Sequence, residues 1–127
     1  MERPRYRELD RKLRQAIEVS LDWDSVQIIN SKAIISDLLE LDVGIDELKR
    51  NLSKIFEEIK PKDYKGAYPP QRSYEDQILN CELLAFKWQS RFFGCPMYLK
   101  FAIKEDFLYL VSLHRDRPKR GCNNEMP

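Results

Sequence analysis

The sequence predicts a single α+β domain, with N-terminal helices packed on one face of a C-terminal antiparallel sheet. Three observations lead there. Apolar residues recur at three- and four-residue steps through the first half of the chain and at every second position through the second half. The two patterns follow one another rather than interleave, which argues against repeated β–α–β units. The 127 residues are 43% hydrophobic and 11% aromatic, enough to bury one core and too many for a disordered chain. The domain is expected to run over residues 1–120, with 121–127 a flexible tail.

The elements follow in order. Tyr6, Leu9, Leu13, Ile17 and Leu21 form one helical stripe, and Pro4 suits its first turn. "SVQIIN" is a short β-branched stretch, an edge strand or a connector. Asn30 or Ser31 can cap a second short helix, "KAIISDLLEL". Asp42 and Gly44 punctuate the chain before a third helix striped by Ile45, Leu48, Leu52, Ile55 and Ile59, which Pro61 ends. "KPKDYKGAYPPQR", residues 60–72, has three prolines and a glycine and reads as a long ordered loop, often a functional feature. "NCELLAFKWQ" then alternates as a strand. "SRFFGCP" connects it to "MYLKFAI" and "FLYLVSLH", two strands joined by Lys104, Glu105 and Asp106.

Charge and cysteines narrow the function classes. The net charge of +1 names no partner, but basic residues cluster locally. Lys60, Lys62, Lys65 and Arg72 face one acid, Asp63, in the long loop, and Arg115, Arg117, Lys119 and Arg120 follow His114. Such patches can bind phosphate or be an ordinary solvated surface. No apolar run approaches the roughly 18 residues of a membrane span, and "MERPRYRELDRKLRQ" lacks a signal peptide's apolar stretch. A soluble cytoplasmic protein is therefore expected. Cys81, Cys95 and Cys122 form no CxxC pair, and with one histidine in the chain a zinc site is not expected. They read as free thiols, Cys81 as a small core hydrophobe; a Cys–His nucleophile with His114 is the minor alternative.

Parity sorts the hairpin. Alternate residues of a strand share a face. Met97, Leu99, Phe101 and Ile103 form one apolar set, and Phe107, Tyr109, Val111 and Leu113 another. A three-residue loop at 104–106, pairing Ile103 with Phe107, places both on the helix-covered face. Tyr98 is then opposite Ser112, with His114 diagonal to it. Leu84, Phe86 and Trp88 join the core, and Gln89 can lie opposite Tyr98. The opposite face gathers Lys87, Gln89, Tyr98, Lys100, Ser112 and His114. A polar outer face is ordinary for such a sheet. Cationic and aromatic groups with few carboxylates also suit a strand of RNA, with lysines on phosphates and rings under bases.

These residues carry a family resemblance. "YLKFAIKEDFLYLVSLHRD" resembles the C-terminal hairpin of the MqsR-type toxins, members of the RelE-like mRNA endoribonucleases of bacterial toxin–antitoxin modules. There a "VYLKV" strand precedes a "VLIVSF" strand that ends in a basic residue. "LLELDVGIDELKRNL" and "KPKDYKG" are similar to the family's central helices and its "DFYKS" segment. The resemblance spans about Ser31 to Asp116; the first 30 residues and the tail have no counterpart.

The resemblance implies a RelE-like fold and RNA cleavage without a metal or other cofactor, through the substrate's own 2′-hydroxyl. It matches Lys65 to the lysine after "DFY" and Tyr98 to the tyrosine of "VYLK". It matches His114 to the basic residue after "VSF" and Gln89 to the glutamine that follows a tryptophan, with Gln77 as the substitute. His114 becomes the acid or base, since its unperturbed pKa lies near neutrality. Lys62, Lys87, Lys100, Arg115 and Arg117 become RNA contacts. The partners implied are an mRNA substrate and a cognate antitoxin encoded nearby. The alternative is a non-catalytic RNA- or protein-binding module on the same fold.

Overall fold

The computed structural model describes residues 6–67 and 69–116. Three helices and a four-stranded sheet make an α+β arrangement: α1 (Tyr6–Val19), β1 (Val26–Ile28), α2 (Ser31–Glu40), α3 (Ile45–Glu57), β2 (Leu84–Gln89), β3 (Pro96–Lys104) and β4 (Phe107–Arg115). The strand order is β1-β4-β3-β2. β2, β3 and β4 form an antiparallel meander, as expected, but β1 lies parallel to β4, so the sheet is mixed rather than wholly antiparallel. A three-residue strand carries too little alternation for its direction to be read from sequence. Among the described residues, no helix is long and apolar enough to cross a membrane.

The helical stripes bury as amphipathic helices should. Leu9, Leu13 and Ala16 of α1, Ile34 and Leu38 of α2, and Leu48, Leu52, Ile55 and Phe56 of α3 meet Leu84, Phe86, Trp88, Met97, Leu99, Phe101, Leu108, Leu110 and Leu113 from the sheet. Phe56 sets its edge on Phe101 at 5.2 Å between ring centroids, and Tyr64 does the same to Phe86 at 5.6 Å. Tyr6 and Leu21, the ends of the first stripe, are exposed instead: α1 stops at Val19, and Tyr6 lies at its first turn. Asn30 precedes α2 in the left-handed region, φ 57°, and makes no side-chain cap.

The β3–β4 hairpin departs from the expected register twice, and the two departures compensate. The turn has two residues, with Lys104 paired to Phe107 and Glu105 at φ 58°. A two-residue hairpin turn commonly needs such a positive φ. This shift puts Leu108 and Leu110 in the core in place of Phe107, Tyr109 and Val111. A β-bulge then leaves Val111 without a partner between the Phe101–Leu110 and Lys100–Ser112 pairs. Beyond it Leu99 meets Leu113, and the outer end of the hairpin keeps the predicted faces.

The second face of the sheet is half covered. Ile29, Ile78 and Ala102 are buried together, with Cys81, Leu83, Tyr109 and Val111 packed against them. The segment after the proline-rich loop supplies this cover. Its Ser73 and Leu83 amides donate to the Cys81 and Gln71 carbonyls, and a short 3-10 turn over Asp76–Ile78 seats Ile78. The uncovered half of that face lies at the outer end of the hairpin.

Candidate functional site

The uncovered half of the second face is a small grid. One row runs across three strands as Lys87, Tyr98 and His114. The next runs Ala85, Lys100 and Ser112, about 6.8 Å further along the strands. Lys65 extends that second row, because its amide donates to the Ala85 carbonyl at 2.8 Å. Tyr64, bridged to Phe86, turns its ring into the core, so alternation puts Lys65 on the open side. Gly66 follows because a Cβ there would meet the Tyr64 hydroxyl, which donates to the Ala67 carbonyl at 2.6 Å.

Tyr98 and His114 are directly opposite, not diagonal: their rings stack at 5.1 Å between centroids and 26° between planes. The bulge at Val111 makes this pairing, and Ser112 faces Lys100 instead. Burial pushes the Tyr98 phenol up from its ordinary value, so it stays protonated at neutral pH. His114 Nδ1 lies 2.8 Å from the Arg115 carbonyl oxygen. A carbonyl only accepts, so Nδ1 carries the proton and the neutral ring keeps its lone pair on Nε2.

Lys65 and Lys100 reach the open face and have no ion-pair partner among the described residues. Lys87 reaches it too, but its Nζ lies 3.3 Å from Asp116 Oδ1. Gln89 pairs with Pro96 at the rim, so the residue opposite Tyr98 is Lys87 and not Gln89. Gln77 belongs to the covering segment, its carbonyl accepting from Lys104 Nζ at the far end of the hairpin, which removes it as a substitute. Arg115 pairs with Met97 and takes the opposite parity from His114, so it leaves the face that holds the grid. Lys62 is exposed on a 3-10 turn over Pro61–Asp63 that packs against α1 and β2 at the sheet edge. Arg117, Cys122 and the tail lie outside the described residues. Cys81 packs under the covering segment, in the cluster of Ala102, about 13 Å along β3 from Tyr98.

Two carboxylates escaped the sequence reading. Asp116 has the parity of His114, two residues on, and that signal was available. Glu58 had none: it follows α3 and reaches across 30 residues or more to the β2–β3 connection. It accepts from Trp88 Nε1 at 2.9 Å, Ser90 Oγ at 2.7 Å and the Phe92 amide at 2.8 Å. Among the described residues no group of three His, Cys, Asp or Glu side chains is arranged to hold a metal ion.

Compared with protein-family models and with curated proteins, the chain matches none.

Proposed function

We propose that this chain is an endoribonuclease that cleaves mRNA through the substrate's own 2′-hydroxyl. It would be the toxin of a toxin–antitoxin pair, of MqsR type and RelE-like fold. The observation that supports this best is the stacked Tyr98–His114 pair on an open face, beside Lys65 and Lys100, cations with no ion-pair partner among the described residues. Helices on one side of a meander and an open basic face on the other agree with the resemblance carried by the hairpin.

The reaction divides among these groups. Nε2 of neutral His114 takes the proton of the 2′-hydroxyl as that oxygen attacks the adjacent phosphorus. The bond from phosphorus to the 5′-oxygen breaks, and the leaving oxygen takes a proton from the protonated Tyr98 phenol, the acid of this reading. The products are a 2′,3′-cyclic phosphate and a 5′-hydroxyl. Lys65 and Lys100 offset the charge that gathers on the phosphorane, and Gln89 at the rim holds a neighbouring phosphate or base. Every proton is accounted for without a metal.

Expression of the wild type should arrest growth and fragment mRNA, and His114→Ala should abolish both. An unimpaired His114→Ala refutes the assignment. The stacked pair also suits a second reading, a non-catalytic RNA-binding platform, because two parallel rings offer a surface for bases. That reading predicts RNA binding lost on Tyr98→Ala and no cleavage by the wild type. A cognate antitoxin, encoded in an adjacent small reading frame, belongs to the first reading.

A further inference from the structure

The peptide unit joining Arg115 to Asp116 is held from three sides. Its carbonyl accepts from His114 Nδ1 at 2.8 Å. Its amide donates to the Pro96 carbonyl at 2.9 Å, closing the end of the β3–β4 ladder. The Asp116 carboxylate beyond it meets Lys87 Nζ at 3.3 Å, so the Lys87 side chain reaches from β2 past β3 to the end of β4. Neutral imidazole in water favours the proton on Nε2. The Arg115 carbonyl oxygen 2.8 Å from Nδ1 can only accept, so this contact favours the proton on Nδ1 instead.

We infer that Asp116 and Lys87 form a clamp that fixes the His114 tautomer, making Nε2 the nitrogen that exchanges the substrate's proton. The clamp rests on the nuclease reading for its purpose but not for its existence. An exposed ion pair of this kind adds little to stability, so its effect falls on position. Asp116 and Lys87 are positioning residues: they act on the histidine through one peptide group, much as a buried carboxylate orients the histidine of a hydrolase triad. Lys87 is then an arm of the clamp rather than an RNA contact.

The chain has one histidine, so long-range proton–nitrogen correlation spectra show a single imidazole. With the ring neutral, the wild type should show a protonated Nδ1 and an unprotonated Nε2. Asp116→Asn, which keeps the backbone amide, and Lys87→Gln should each move the population toward the Nε2–H form. Lys87→Arg should restore the wild-type pattern. In RNA cleavage the first two variants should lose roughly tenfold in kcat with KM unchanged, and the double variant should be no worse than either. A wild-type His114 protonated on Nε2, or a tautomer that neither substitution moves, overturns the clamp. So does a Lys87→Gln variant that binds RNA with a salt slope reduced by about 0.7, since Lys87 would then contact a phosphate. If the wild type cleaves no RNA, the nuclease reading fails by itself, and the spectra still decide the clamp.

Discussion

Among the described residues, Glu58 and Tyr98 are the side chains whose proton affinity the fold shifts clearly, in opposite directions. Burial alone would raise the Glu58 carboxyl, but hydrogen bonds from Trp88, Ser90 and the Phe92 and Arg91 amides outweigh it and hold the group below its ordinary value. Its stabilising contribution is therefore complete above the unfolded value and drains away as pH falls through the lower folded one. Urea melts over a pH series should show that acid loss shrink in Glu58→Gln. Glu58→Ala strands the Trp88 indole and the buried Ser90 hydroxyl, and should cost about 2–3 kcal/mol in the same assay. Tyr98 is shifted by burial alone, and upward. An alkaline limb of the pH–rate profile set by Tyr98 should therefore lie above about pH 10 and vanish in Tyr98→Phe.

Elements explain why Tyr98 meets His114. The apolar stripes of α1 and α3 were legible because helical spacing repeats over three turns or more, as were the core sets Leu84, Phe86, Trp88 and Met97, Leu99, Phe101. In β4 alternation misled, because "FLYLVSL" is apolar at both parities and either set could fill the core. What decided was turn geometry plus a bulge, and neither leaves a signal in side-chain pattern. The gathering of Tyr98, Lys100, Ser112 and His114 on one face was nonetheless legible. The bulge at Val111 restores the parity that the two-residue turn breaks. Deleting Val111 removes that correction: Leu113 and the paired strand end can no longer share the core with Leu108 and Leu110. The deletion variant should fail to give a cooperative thermal transition. Gly66→Ala should also weaken the fold, since the new methyl would collide with the Tyr64 hydroxyl and loosen the lysine-bearing segment. A lowered melting temperature with reduced RNA affinity is the expected result.

At the scale of the whole molecule, the two sheet faces divide the chain's tasks. One is closed by three helices. The other is closed by residues of the 71–83 segment over its Ala102 end and left open where Lys65, Tyr98, Lys100 and His114 gather. That cover was not legible from sequence, because Ile78 and Leu79 are a short apolar pair among polar residues with no period. Net charge was equally uninformative at +1, and only placement separates the open-face lysines from Lys62 and Arg115. With Lys65 and Lys100 as the phosphate contacts, RNA affinity should fall with salt at a shallow slope, about −0.7 per contact for a single strand. Lys65→Ala and Lys100→Ala should each reduce that slope. The central claim, cleavage by the Tyr98–His114 pair through the 2′-hydroxyl, is tested most directly by product chemistry. Purified wild type and His114→Ala are incubated with single-stranded RNA in the presence of a chelator, and the termini are mapped. Attack by the 2′-hydroxyl gives 2′,3′-cyclic phosphate and 5′-hydroxyl ends from the wild type, and the folded variant should cleave at least about a hundredfold more slowly. Equal rates for the two proteins, or 5′-phosphate ends, would contradict the claim.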